Sequence, residues 1–312
     1  MKLSADGIIT NQFNQALFIT RSDSRTWAMP GGAVEAGELP NEAVEREVEE
    51  ETGLKVHAVR LVGLYYRQEK PDGMLIFTFR CIQRGGAITK SDEALQAGFL
   101  PVVPLPQPMF SLHQERVQRA LNHTTSSPYW GRQQLPTGFN LFLGAMHGAR
   151  DLVRSVRRLP PIEPAPEWSF GAFVIIRDDE GKVLWVRRND YDVWNLPGGG
   201  RQGQEAPWET AVRETREETG LQVRLTHLSG VYAKPGKQQL VLTFTATVTG
   251  GVLTPNSEAA EFRYFAPGEE PPNALPKHVQ RVADAASPGE TTFFRRQSGS
   301  TSLEQLEELA SN

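Results

Sequence analysis

Glu47, Glu50 and Glu51 stand at i, i+3 and i+4 in PNEAVEREVEEETGL, a spacing that crowds three carboxylates onto one helix face. Each like-charge pair costs about 0.2–0.5 kcal/mol on an exposed helix. Negative charge in the last turns costs a further ~0.3–1 kcal/mol against the helix dipole. A helix with only a structural role would carry lysine or arginine there. A divalent cation reverses the account, and hard oxygen ligands at this spacing suit Mg²⁺, which binds carboxylates together with substrate phosphates. The chain writes the arrangement twice: Glu214, Glu217 and Glu218 repeat it in PWETAVRETREETGL.

A glycine loop precedes each acidic helix. Gly31-Gly32 and Gly198-Gly199-Gly200 each follow a proline, so a strand ends sharply and the backbone can bend closely around a ligand. Backbone carbonyls and amides exposed there can meet metal and phosphate. Pro40 and Pro207 suit the first turn of the helices that follow, and Gly53 suits a left-handed cap at the end of the first.

The elements that must hold these residues are also duplicated. Trp27 and Trp194 open blocks that align without a gap at an offset of 167 residues, and the register continues through Arg21 with Arg188, Gly63 with Gly230 and Tyr65 with Tyr232. It then falls to 165, with Glu93 facing Glu258. Such a register is duplication. Apolar runs read as strands before each block (ALFIT, AFVII) and after it (GMLIFTFRC, QLVLTFTATV), and a second helix is expected near Gln114–Leu121 and His278–Ala285. Strands interleaved with helices predict an α/β fold, its sheet covered on both faces.

The 312 residues suit two domains, expected at 1–121 and 168–287. The segment 122–167 reads as a linker with an amphipathic helix over 140–159, carrying Arg150, Arg154, Arg157 and Arg158. The polar tail 288–312 ends in a short helical pattern, LEQLEEL. A formal net charge of −4 argues against a surface built mainly to hold nucleic acid. The single cysteine, Cys81, lies in a strand pattern and fits a reducing compartment. No apolar run reaches the ~18 residues of a membrane span, so a cytoplasmic protein is expected.

The repeated block resembles the signature of the Nudix hydrolases: Gly, five residues, Glu, seven residues, Arg-Glu, an aliphatic residue, any residue, Glu-Glu, any residue, Gly and a hydrophobic residue. The first copy fills every position with Gly32, Glu38, Arg46, Glu47, Val48, Glu50, Glu51, Gly53 and Leu54. The second has Gly199, Glu205, Arg213, Glu214, Glu217, Glu218, Gly220 and Leu221, departing only at Thr215. With the flanking strands, the resemblance covers about three quarters of the chain.

The resemblance implies two α/β/α sandwiches with mixed sheets, joined by a helical linker. It implies that Mg²⁺, or Mn²⁺ in its place, is held by Glu47, Glu50, Glu51 and the Gly31 carbonyl, and by Glu214, Glu217, Glu218 and the Gly198 carbonyl. Arg46 and Arg213 would orient the glutamates, while Glu38 and Glu205, with Gly32 and Gly199, would support the loop. The base would be a box glutamate such as Glu50 or Glu217, or a later one: Glu93, Glu258 or Glu261. Glu261 faces Gln96 in the alignment, so the second copy has an additional carboxylate.

The implied reaction is hydrolysis of the pyrophosphate bond in nucleotide-sugar or ADP-ribose-like compounds or nucleoside triphosphates. Arg21, Trp27, Arg188, Trp194 and Lys234 are the expected substrate contacts. Two other readings stay open: a nucleotide sensor without turnover, and a pyrophosphohydrolase of RNA 5′ ends. An isoprenoid diphosphate isomerase would need a catalytic cysteine, and Cys81 has no matching context. The resemblance also implies that domains can pair, within the chain or as a homodimer.

Overall fold

The computed structural model describes residues 1–68, 73–89, 91, 94–134, 165–189, 192–287, 289 and 291–297. Glu93, the helix expected over 140–159 and the LEQLEEL segment lie outside the described residues. The chain divides into two compact units, Met1–Glu167 and Trp168–Asn312.

The first unit runs β1 (Lys2–Ile9), β2 (Gln15–Arg21), β3 (Trp27–Ala28), β4 (Gly31–Ala33), α1 (Pro40–Thr52), β5 (Leu54–Arg67), β6 (Met74–Gly86), β7 (Ala94–Pro101), α2 (Ser111–Asn122) and β8 (Tyr129–Gln133). Five strands form a mixed sheet in the order β4-β1-β6-β5-β8, with β1 parallel to β6 and β5 parallel to β8. Three more form an antiparallel sheet, β3-β2-β7.

Alternation along β1 sets the layers, since successive side chains leave a strand on opposite faces. Asp6 and Ile8 face α2, through Arg116 and through the core shared with Val117 and Ala120. Gly7 faces α1, where a β-carbon would lie 3.0 Å from Val44. The helices therefore cover opposite faces of the sheet, the α/β/α sandwich that the resemblance implies.

The second unit repeats the plan with β9 (Ser169–Ile176), β10 (Val183–Arg188), β11 (Trp194–Asn195), β12 (Gly198–Gly200), α3 (Pro207–Thr219), β13 (Leu221–Ala233), β14 (Gln239–Gly251), β15 (Ala259–Phe265), α4 (Pro276–Ala285) and β16 (Phe293–Arg296). Its sheets are ordered β12-β9-β14-β13-β16 and β11-β10-β15. In both units the last strand lies beyond the domain ends expected at 121 and 287. β8 and β16 lie parallel to the edges of β5 and β13, inside segments that read as linker and tail.

α1 and α3 are the elements that carry the carboxylates, and local chemistry sets their ends. Each begins at proline, and a third-position glutamate reaches back to the preceding N–H: Glu42 to Leu39, and Glu209 to Ala206, both at 2.9 Å. Each ends on a left-handed glycine, Gly53 (φ 76°) and Gly220 (φ 78°). Thr215 is fully buried, and its hydroxyl donates to the Ala211 carbonyl at 2.8 Å, so the departure from the aliphatic pattern leaves no polar group unsatisfied. Among the described residues, no helix is long and apolar enough to cross a membrane.

Candidate active site

One arginine organises each cluster of carboxylates. Arg46 donates Nε and Nη2 to Glu38 (3.0 and 3.1 Å), Nη2 to the Ala33 carbonyl (2.9 Å), and Nη1 to Glu47 (3.0 Å) and Glu50 (2.9 Å). Arg213 makes the same contacts with Glu205 (2.6 and 2.9 Å), the Gly200 carbonyl (2.9 Å), Glu214 (2.9 Å) and Glu217 (2.8 Å). The planar fork of guanidinium donors makes this span possible. Hydrogen bonding to Glu38 and Glu205 raises both arginines above their ordinary pKa. Glu38 and Glu205 also accept from their own loops, at the Glu35 and Gln202 N–H groups (3.0 Å each), which ties the loop to the helix.

The third glutamate of each set turns inward. Glu51 accepts from the Gly31 N–H and Glu218 from the Gly198 N–H, both at 2.8 Å. Gly31 (φ 148°) and Gly198 (φ 142°) hold conformations that favour glycine. One position on, a β-carbon at Gly32 would lie 2.4 Å from the Glu47 carboxyl, and one at Gly199 would lie 2.7 Å from Glu214. The loop therefore cradles the carboxylates at a distance only glycine permits.

Each carboxylate is taken by a protein donor. Among the described residues these side chains are engaged with the arginine and the glycine loop and are not gathered around a common point. The donors still fit a hard cation: carboxylate oxygens surround a cradle of backbone that a β-carbon would fill. Burial raises Glu218 to about 8, with the charges of Glu214 and Glu258 adding to the rise and the Gly198 N–H opposing it. A carboxylate so placed gains from a cation beside it.

Among the later glutamates, Glu258 lies near enough for its charge to act on Glu214 and Glu218. Glu261 does not join them; it pairs with Arg187 (3.3 Å) and Arg263 (2.5 Å) on the β10–β15 sheet. The expected substrate contacts divide in the same way. Arg21 lies within the field of Glu51 and Glu47, and Arg188 acts on Glu218. Trp194, expected as a substrate contact, is buried with its ring edge-on to Phe265 at 5.6 Å. Trp27 is half-buried against the cluster of Phe18, Met29 and Val117.

A cleft of about 300 Å³ opens beside the first loop, lined by Gly31, Gly32, Ala33, Arg21, Arg67, Lys2, Phe110, His113 and Arg116. Arg21 lines it in a bidentate pair with Asp23 and lies within the field of Glu51 and Glu47, while Arg67 and Lys2 add positive charge that suits phosphate oxygens. Sequence reasoning missed Arg67, His113 and Arg116. The 165-residue register held the signal, since it carries His113 to His278 and Arg116 to Arg281. Lys234, by the 167-residue register, stands where Arg67 lines this cleft.

The NUDIX domain model matches residues 1–138 and again 168–285. The chain is similar to a putative 8-oxo-dGTP diphosphatase of Bacillus subtilis (strain 168), with 36% identity over 115 residues, covering 36% of this chain and 77% of the relative. It is also similar to an ADP-ribose pyrophosphatase of Methanocaldococcus jannaschii, with 37% identity over 113 residues, covering 35% and 66%. Among solved structures, an ADP-ribose pyrophosphatase from Streptococcus suis 89-1591 matches at 23% identity and TM-score 0.36, covering 41% of this chain and 99% of that one. With the family model matched over both units, and each unit carrying an arginine-clamped glutamate cluster, the chain belongs to the NUDIX domain family and is a tandem Nudix hydrolase.

Proposed function

We propose that each domain hydrolyses a pyrophosphate bond in a nucleotide, with Mg²⁺ held by Glu47, Glu50, Glu51 and the Gly31 carbonyl in the first domain. Glu214, Glu217, Glu218 and the Gly198 carbonyl do the same in the second. The observation that carries this reading is the arginine-clamped cluster, built twice with the same partners. Bound metal neutralises phosphate oxygens and acidifies a water.

The chain's own residues supply the rest. Arg46 and Arg213 hold the half-exposed Glu50 and Glu217 in place while leaving them reachable from solvent. Arg67 and Lys2 offer the first cleft positive charge for the phosphates, beside Arg21 in its pair with Asp23. In the second domain Glu258, whose charge acts on Glu214 and Glu218, takes the proton of the attacking water in this reading. Glu261 is committed to two arginines. The buried Cys81 fits a reducing compartment, and we place the reaction in the cytoplasm.

The test is hydrolysis of a nucleotide panel with Mg²⁺ by wild type, Glu50→Gln, Glu217→Gln and the double variant. Each single variant is expected to lose a different part of the activity, and the double variant all of it. A wild type that binds nucleotides without metal-dependent turnover would replace this reading with a sensor.

A further inference from the structure

The two domains differ by one buried charge. Asp6 on β1 and Phe173 on β9 occupy the same place, each opposite the first glycine of its loop, Gly31 or Gly198. Each faces an arginine from the helix behind the sheet. Arg116 and Arg281 are alike in position, burial (3% and 4% exposed) and amide partner. Arg116 donates to Gln133 (3.0 Å) and Arg281 to Gln297 (2.9 and 3.1 Å), with His113 or His278 one turn earlier.

Their counter-charges are not alike. Arg116 meets Asp6 at 3.0 Å, and Asp6 is steadied by the Thr78 hydroxyl at 2.6 Å. Arg281 has only neutral partners among the described residues: Gln297, His278 and the rings of Phe173 (5.0 Å) and Tyr232 (5.3 Å). The nearby Asp284 accepts instead from Tyr232 and Arg295. Burial even pulls the Arg281 guanidinium down to about 10, and an arginine still remains charged at neutral pH. Amide and aromatic partners steady a buried cation without cancelling its field.

Arg116 lines the first cleft, beside the glycine loop. We propose that Arg281 sets a preference of the second domain for the more highly charged nucleotide, a nucleoside triphosphate. The first domain, where Asp6 cancels Arg116, takes the less charged diphosphate-linked compounds. This rests on the hydrolase reading above. One difference runs the other way, because the first cleft has Lys2 where the second domain has Ser169. Lys2 is exposed, so water and salt screen it, whereas the buried charge is screened far less.

ATP and ADP-ribose are the probes, each site being isolated by Glu50→Gln or Glu217→Gln in the full chain. The ratio of kcat/KM for ATP over ADP-ribose is expected to be higher at the second site. Phe173→Asp restores a carboxylate to Arg281 and should lower that ratio about tenfold, chiefly through KM. Phe173→Asn removes the same ring without adding charge and should leave the ratio in place. Asp6→Asn, which keeps an acceptor for Thr78, should raise the ratio at the first site. The proposal is overturned if Phe173→Asp and Phe173→Asn move the ratio alike, or if Asp6→Asn does not move it. Loss of all hydrolysis would instead sink the hydrolase reading. The same variants would then be compared by ATP and ADP-ribose affinity, and unchanged affinity ratios would overturn the charge preference on their own.

Discussion

At the scale of single residues, the arginine of each box decides whether three glutamates form a site or merely repel. Lysine at this position keeps the charge but loses the fork, so it cannot reach Glu205, Glu214, Glu217 and the Gly200 carbonyl together. Arg213→Lys in a Glu50→Gln background is expected to lower second-site turnover by roughly 10–100-fold. The melting temperature should shift by only a few degrees; a lysine variant with wild-type turnover would show that the fork is not needed.

The two loop glycines separate chemistry from stability. Gly32→Ala places a β-carbon against the Glu47 carboxyl, which can swing away at the expense of metal binding. The Mg²⁺ concentration for half-maximal rate should rise about tenfold, with little loss of stability. Gly31→Ala instead meets the Ala5 carbonyl at 2.3 Å with φ at 148°, and backbone cannot yield as a side chain does. It should destabilise the fold by about 2–4 kcal/mol in denaturant titration. Equal effects of the two substitutions on stability would contradict this division. The glutamates and their arginine were legible in the sequence because a helix turns local spacing into shared position. The burial of Trp27 and Trp194 was not, because an aromatic beside a loop reads alike whether it faces ligand or core.

At the scale of elements, the acidic helices were legible end to end. Proline, the third-position glutamate and the capping glycine are all local signals. The edge strands were not. β8 is five residues long, and its partners on β5 lie 66 residues earlier in the chain, Gly63 against Tyr129. No short-range pattern announces such a pairing. Yet β8 completes the buried centre of its domain, since Gln133 accepts from Arg116, which in turn binds Asp6 across 110 residues of chain. The first domain cut after Asn122 would keep Arg116 and Asp6 but lose their amide partner and the sheet edge. A chain ending at Gln134 should unfold cooperatively, and one ending at Asn122 should melt at a clearly lower temperature or fail to fold, as read by circular dichroism. Equal melting of the two would mean that β8 only decorates the edge.

At the scale of the whole molecule, duplication has given both domains the same histidine, half-buried in the first and buried in the second, and with it one shared response to acid. His113 is held neutral by burial, with Arg116, Arg21 and Arg67 adding positive charge around it. His278 is held neutral by burial too, facing Arg281, Lys277 and Arg188, while its Nδ1 accepts from the Leu196 N–H at 2.9 Å. Both fall well below the ordinary 6.5. The sign follows from proton counting. Below pH 6.5 the unfolded chain binds protons at these two positions and the folded chain does not, so stability is full above 6.5 and is lost as pH falls. Glu218 contributes with the opposite sign, since its raised pKa removes stability as pH rises toward 8. The measurement is therefore a difference: melting temperature from pH 7.5 to 5 for wild type and for His113→Gln/His278→Gln, in which Glu218 is common to both. Glutamine keeps an acceptor for the Leu196 N–H and cannot take the proton. The wild-type curve should fall more steeply toward pH 5 than that of the double variant. Parallel curves would mean that the two histidines do not carry the acid sensitivity of the fold.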